Sequence, residues 1–114
     1  MPAKAGIQEP SERILSDVMK RPCMYILSNK RNGTLYIGVT SDIIHRVWEH
    51  KNSIVEGFTK TYGVHQLVYL EFHETMLDAI AREKRLKAWK RAWKINLIEQ
   101  GNEGWRDLYE DLLQ

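Results

Sequence analysis

The chain has 114 residues, 43% of them hydrophobic and 28% charged, with a formal net charge of +2. That length builds one hydrophobic core and not two; the lone Cys23 excludes an internal disulfide, and one cysteine with four scattered histidines excludes the usual Cys/His zinc modules. No apolar run approaches the ~20 residues of a membrane span, and Lys4 is followed by no apolar stretch of signal-peptide type, so no membrane partner is expected and a reduced, cytoplasmic setting fits.

Residues 1–20 read as a leader outside the core, with Pro2, Gly6 and Pro10 interrupting any periodic pattern, and one domain is expected over residues 21–114. The segment up to residue 18 is expected to be dispensable for folding. Cys23–Leu27 is apolar and reads as a strand, and Thr34–Val39 as its return. Asn32-Gly33 between them favours the positive φ of hairpin loops. A hairpin centred near Lys30 and Arg31 sets Tyr25 and Tyr36 almost opposite each other. Gly38 ends the strand where a Cβ would obstruct a close approach.

Thr40 or Ser41 is expected to cap the next helix, with Asp42 in its first turn. Ile43, Arg46, Val47 and His50 then share one face at i, i+3, i+4 and i+7. Two aliphatics beside a guanidinium and an imidazole make a poor core face and a sensible wall for a polar cleft. Residues 57–63 read as a loop bracketed by glycines, with Lys60 near its middle, and residues 66–72 as a third strand.

Thr75 and Asp78 resemble a capping box with Asp in place of Glu, opening a long helical stretch. On a 100° wheel with Leu86 at zero, Ala79, Trp93 and Leu97 fall within about 20° and Glu83 lies about 60° away. A kink or turn is expected near Ala88–Lys90. Residues 82–94 carry seven Lys or Arg against one acid, and residues 95–114 one Arg against five acids. Two solvated faces of opposite sign explain this as well as a basic surface for a polyanion does. Trp89, Trp93 and Trp105 read as packing residues, and His45, His65 and His73 as surface or structural ones.

Cleaving a phosphodiester takes an activated water, charge neutralisation at phosphorus and a stabilised leaving oxygen. Arg46 offers a planar fork to a phosphate oxygen, and His50, one turn on, reaches the same site. His50 has two readings: a donor to phosphate when protonated, or a group that polarises water or Tyr36 when neutral. Glu83 is the one carboxylate in the basic stretch. It suits a hard cation completed by waters and phosphate oxygens, or a salt bridge to Lys87 at i+4, worth about 0.3–0.5 kcal/mol if exposed. Lys84, Lys87 and Arg91 are candidate nucleic-acid contacts.

Cys23-Met24-Tyr25, Tyr36-Ile37-Gly38, Arg46, His50, Glu83 and Asn102, in that order and spacing, resemble the GIY-YIG nuclease family over residues 22–109, and its small stand-alone bacterial members in particular. Cys23-Met24 stands in place of Gly-Ile, at positions that look like strand packing. Val39 follows the YIG glycine where some members carry a nearby lysine, and Lys60 is the candidate to supply that cation. The resemblance implies Tyr36 as general base, or as a group orienting a metal-bound water. It implies Tyr25 as a positioning or phosphate-contacting hydroxyl, Glu83 as ligand to Mg2+ or Mn2+, and Asn102 as a residue that tethers the C-terminal segment or orients Glu83.

The expected architecture is α/β in the α+β sense: a small, mainly antiparallel three-stranded sheet flanked by helices. The expected function is a metal-dependent endonuclease hydrolysing DNA, selective for structure more than sequence, with a protein partner or homodimer as a further source of selectivity. A non-catalytic nucleic-acid-binding module of the same fold, or a protein-interaction domain reusing it, are the alternatives.

Overall fold

A computed structural model describes residues 20–52, 54 and 57–114, so all of the expected leader but Lys20 lies outside the described residues. Three strands form one antiparallel sheet in the order β2-β1-β3: β1 (Cys23–Ser28), β2 (Leu35–Thr40) and β3 (Gln66–Phe72). Around it run α1 (Ile43–Lys51), α2 (Phe58–Tyr62), α3 (Met76–Lys87), α4 (Arg91–Gly101) and α5 (Tyr109–Leu112). The central strand β1 is buried from end to end, as a strand covered on both faces must be.

Alternation along β1 divides the core. Cys23, Tyr25 and Leu27 pack with Ile43, Ile44, Val47, Leu67 and Tyr109 on one face, and Tyr36 joins them. Met24 and Ile26 pack with Ile37, Val68, Leu86, Ile98 and Trp105 on the other. α1 and α5 therefore cover the first face, and α3 and α4 the second. Cys23 and Met24 are both core residues, and burial pushes the Cys23 thiol up to about 12, leaving it inert.

The hairpin departs from expectation in register. The turn closes from the Gly33 N–H to the Lys30 carbonyl (2.9 Å), with Asn32 at φ 56°. Tyr25 therefore faces Gly38, and Tyr36 faces Leu27. The shift is by two pairing positions, an even number, so both tyrosines keep one face and meet diagonally. Asp42, not Thr40 or Ser41, caps α1 by accepting from the His45 N–H (3.3 Å), while the Thr40 hydroxyl accepts from the Asp42 N–H (3.0 Å). Residues 58–62 form one helical turn rather than a loop, because Gly63 takes φ 63° and ends it. Thr75 caps α3 by accepting from the Asp78 N–H (3.1 Å).

The long basic stretch breaks between Lys87 and Arg91, as expected. That break resets the helical phase, so the wheel drawn through Leu86 fails beyond it. Ala79 and Leu86 are fully buried, but Ile98 takes the core position in α4 and Trp93 stands 53% exposed.

The outer edge of β3 is closed by the C-terminal segment. Leu108 N–H donates to the Leu67 carbonyl (2.7 Å), and Asp107 Oδ1 accepts from the Leu67 N–H (3.2 Å). Asn102 Nδ2 donates to the Val68 carbonyl (3.2 Å) and the Arg106 carbonyl (2.8 Å), and its Oδ1 accepts from the Arg106 N–H (2.9 Å). Removing a buried side chain with three such bonds strands the groups it served. Asn102→Ala is expected to cost about 3 kcal/mol of stability in urea denaturation, with nucleic-acid affinity per folded molecule unchanged.

Candidate active site

Tyr25 belongs to a buried polar chain with His50 at its centre. Its hydroxyl lies 3.3 Å from His50 Nε2, and His50 Nδ1 lies 2.9 Å from the Thr59 hydroxyl. Tyr25 and His50 are 0% and 1% exposed, and Thr59 is buried. β1, α1 and α2 each contribute one member. Gly38 lies beneath: a Cβ there would stand 2.6 Å from Tyr25 Oη and 3.1 Å from Tyr36 Cε2. The glycine is required by the phenol across the ladder.

Both nitrogens of His50 are thus engaged inside the fold. Burial, followed by the neighbouring Arg46 charge, pushes its pKa down from 6.5 to about 4. Of its two readings the neutral one holds at physiological pH. The ring meets Tyr36 with centroids 5.6 Å apart, while its Nε2 is directed at Tyr25. Burial is also the main reason the Tyr25 phenol titrates well above its ordinary value. The hydroxyl is buried and engaged with His50, which accords with the positioning role of the two that the resemblance implies.

Arg46 sits on the same helix face, its side chain 40% exposed, with Nε donating to Glu49 Oε1 (3.1 Å). Burial opposes its charge, but interactions with Tyr25 and Glu49 outweigh that and hold the guanidinium more firmly protonated.

Tyr36 is the half-buried tyrosine. Its ring is 6.3 Å from that of Tyr25 and stacks on Phe58 at 6.1 Å. It opens into a cleft of about 340 Å3 lined by Leu35, Tyr36, Ile37, Phe58, Lys87 and Lys94. β2 is an edge strand, and this cleft wraps around its free side: Tyr36 and Phe58 come from one face, Lys87 and Lys94 from the helices on the other. Glu83, one turn before Lys87, is 16% exposed and its Oε2 lies 3.0 Å from Lys87 Nζ. The i+4 salt bridge weighed on sequence is formed, and it ties Glu83 to a lysine of the Tyr36 cleft.

The other expected residues fall elsewhere. Lys60 is exposed on α2 and is not among the residues lining the cleft; Lys87 and Lys94 are the lysines there. Lys84 is exposed on α3. Arg91 is used by the fold, its guanidinium donating to the Asn32 and Gly33 carbonyls at 2.7 and 2.6 Å and clamping α4 to the hairpin turn. Asn102, grouped with the catalytic residues on sequence, serves the β3 edge, which answers the choice between tether and Glu83 orienter in favour of the tether. Thr59 and Phe58 are not singled out by the sequence pattern, and Lys94 is there only one of seven cations of the basic stretch with no pattern to choose among them. The glycines at 57 and 63 were the available signal for the first two, since both take positive φ and set α2 against the site.

Among the described residues no three His, Cys, Asp or Glu side chains converge as a metal cluster. One carboxylate is nevertheless a fitting donor set for a hard divalent cation that keeps its waters and takes substrate oxygens. Glu83, paired with the cleft residue Lys87, has the chemistry of such a donor.

Gly38→Ala is expected to push the Tyr25 phenol away from His50 and lower stability by about 1–3 kcal/mol, read by denaturation. For His50, the unfolded chain binds a proton between pH 6.5 and about 4 that the folded chain refuses. Its contribution is complete above 6.5 and is lost as pH falls toward 4. Urea denaturation over that window should show stability rising with pH, with a shallower slope in His50→Asn.

Residues 21–96 match the family model of the GIY-YIG catalytic domain. A UPF0213 protein of Staphylococcus saprophyticus is 36% identical over 83 residues, spanning 73% of this chain and all of that relative. UPF0213 proteins of Staphylococcus epidermidis and Staphylococcus aureus are 34% and 35% identical over 70 and 69 residues, covering 85% and 84% of those relatives and 61% and 60% of this chain. No solved structure matches significantly. A three-stranded antiparallel sheet with both tyrosines on one face, matched to that family model over two thirds of its length, makes this chain a member of the GIY-YIG nuclease family.

Proposed function

We propose that the chain is a divalent-metal-dependent endonuclease that hydrolyses DNA phosphodiester bonds at the β2 edge. The observation that carries this reading is the cleft around that edge, lined by Tyr36, Lys87 and Lys94 together, with Glu83 held against Lys87. A binding module would need the cations but no phenol or carboxylate beside them, which favours the enzyme over the non-catalytic alternative.

In this reading a backbone phosphate enters between Lys87 and Lys94, which neutralise its charge, and Arg46 presents its fork from α1. Tyr36 holds the attacking water by its hydroxyl and relays the proton the water loses, accepting it at the phenol oxygen as the phenol's own proton passes to solvent in the cleft. His50, neutral and buried, keeps Tyr25 and α2 in place so that the phenol and Phe58 hold their positions. Glu83 would hold Mg2+ or Mn2+, which when bound supplies charge neutralisation at the phosphate and the leaving oxygen. Lys87 can yield the carboxylate at little cost, because its side chain is 56% exposed and such pairs contribute only a few tenths of a kcal/mol, about 0.3–0.5.

Contacts to phosphate position a substrate without reading its bases, so selectivity for nucleic-acid structure is the expected behaviour, sharpened by a protein partner or a second copy. The domain carrying the activity is residues 21–114. No helix among the described residues is long and apolar enough to cross a membrane, in keeping with a cytoplasmic role.

Tyr36→Phe and Glu83→Ala should each lower cleavage of nicked, branched, single- or double-stranded DNA by at least about 100-fold, with DNA affinity retained and no cleavage by wild type under chelator. Residual cleavage equal to wild type in both variants would reject the assignment.

A further inference from the structure

The break between α3 and α4 leaves a second groove, outside the Tyr36 cleft. It encloses about 340 Å3 and is lined by Trp89, Trp93, Asn96, Leu97 and Gln100. Trp89 belongs partly to the core. Trp93 does not: it is 53% exposed and meets Trp89 edge-on at 6.1 Å. Half of the Trp93 indole is thus open to solvent beside Leu97.

We propose that this groove receives an unpaired nucleobase of the substrate, a step that rests on the nucleic-acid reading of the neighbouring cleft. Three observations select that occupant. The groove offers the indole surface that Arg82 over Trp89 and Lys90 over Trp93 leave uncovered, and two carboxamides, Asn96 and Gln100, one turn apart, able to donate to and accept from the edge of a base. It is cationic: Lys90 Nζ lies over the Trp93 ring, 5.7 Å from its centre, and its flexible stem lets a stacking base take that place while the ammonium turns to the nucleotide's phosphate. It also adjoins the proposed phosphate track, since Lys94, next to Trp93 in α4, lines the Tyr36 cleft and its ammonium reaches the Lys87 carbonyl (3.5 Å). A five-residue groove is far below the roughly 20–30 residues a side of a stable protein interface, and a base in a duplex has no free face to give it. The groove thus selects substrates with a single-stranded segment next to the scissile phosphate.

The test is fluorescence anisotropy of the full chain with a labelled single strand of about a dozen nucleotides and with a matched duplex, divalent metal omitted. Trp93→Ala should weaken single-strand binding about tenfold, the size of one lost base–aromatic stack, and change duplex binding less than twofold. Trp93→Phe, which keeps a ring, should restore most of the loss. An equal loss on both substrates, no loss on either, or absence of single-strand binding by wild type overturns the proposal. So does a wild-type dimer in sedimentation that Trp93→Ala dissociates, since the groove is then covered by a second copy. Cleavage that requires Tyr36 without any Trp93 effect sinks the base pocket and leaves the nuclease. Single-strand binding that needs Trp93, with no cleavage of any substrate, sinks the nuclease and leaves the pocket.

Discussion

The Tyr25 phenol lies so close over Gly38 that a methyl group on the glycine would overlap its hydroxyl, and from this contact the geometry of the site is laid out. Seated there, the hydroxyl reaches His50, and His50 reaches Thr59. One hydrogen-bonded chain thereby fixes the spacing of two strands, the helix that carries Arg46 and the short helix that carries Phe58. In a buried setting such a chain is stiff, because each member that lost its partner would bear the full cost of desolvation. Two of the groups most suggestive of chemistry in a list of residues, Tyr25 and His50, are groups that hold the others still. Tyr36, with its ring against His50 and Phe58 and its edge toward the cleft, inherits a fixed position from them.

The sheet order decides which groups can meet. With β1 central, β2 and β3 each have an outer edge, and an open edge invites pairing with another chain. The C-terminal segment closes β3 through Asn102, Asp107 and Leu108. β2 is left for the cleft, where residues from both helical layers come together around a strand one residue thick. This explains how Glu83 and Lys87, whose helix packs with the opposite core cluster from Tyr36, belong to the same region as the phenol. Alternation puts the tyrosine on one face, and the strand edge lets the other face take part.

Much of this was legible before any coordinates. Strand β3, the capping of α3 by Thr75, the break before Arg91 and the shared face of Ile43, Arg46, Val47 and His50 follow from local rules: alternation, caps and helical period. The same rules stopped at tertiary choices. Two acceptor side chains precede α1, and the tighter turn made by Thr40 hands the cap to Asp42. Arg91 and Lys87 are equivalent as entries in a basic stretch, yet one is spent on hairpin carbonyls and the other lines the cleft, a difference set by where the helix break falls. Trp93 shared the wheel position of Leu86 only on the assumption of one continuous helix.

The Glu83–Lys87 pair also bears on how a weak interaction can serve a site. A carboxylate at 16% exposure gains from a counter-charge close by, and Lys87 supplies one at 3.0 Å. A tight, fully buried partner would satisfy it and also block any ligand, since breaking such a pair costs several kcal/mol. A lysine one turn away, with more than half its side chain in water, avoids that outcome. Its contact with Glu83 is a single i+4 pairing at 3.0 Å. In the proposed reaction that pairing gives way to a cation on the carboxylate, and the freed ammonium would stay beside the phosphate that accompanies it. Arginine in the same place would bind the carboxylate through a rigid two-pronged fork and give it up less readily. The flexible, singly pointed lysine suits a group that must change partners.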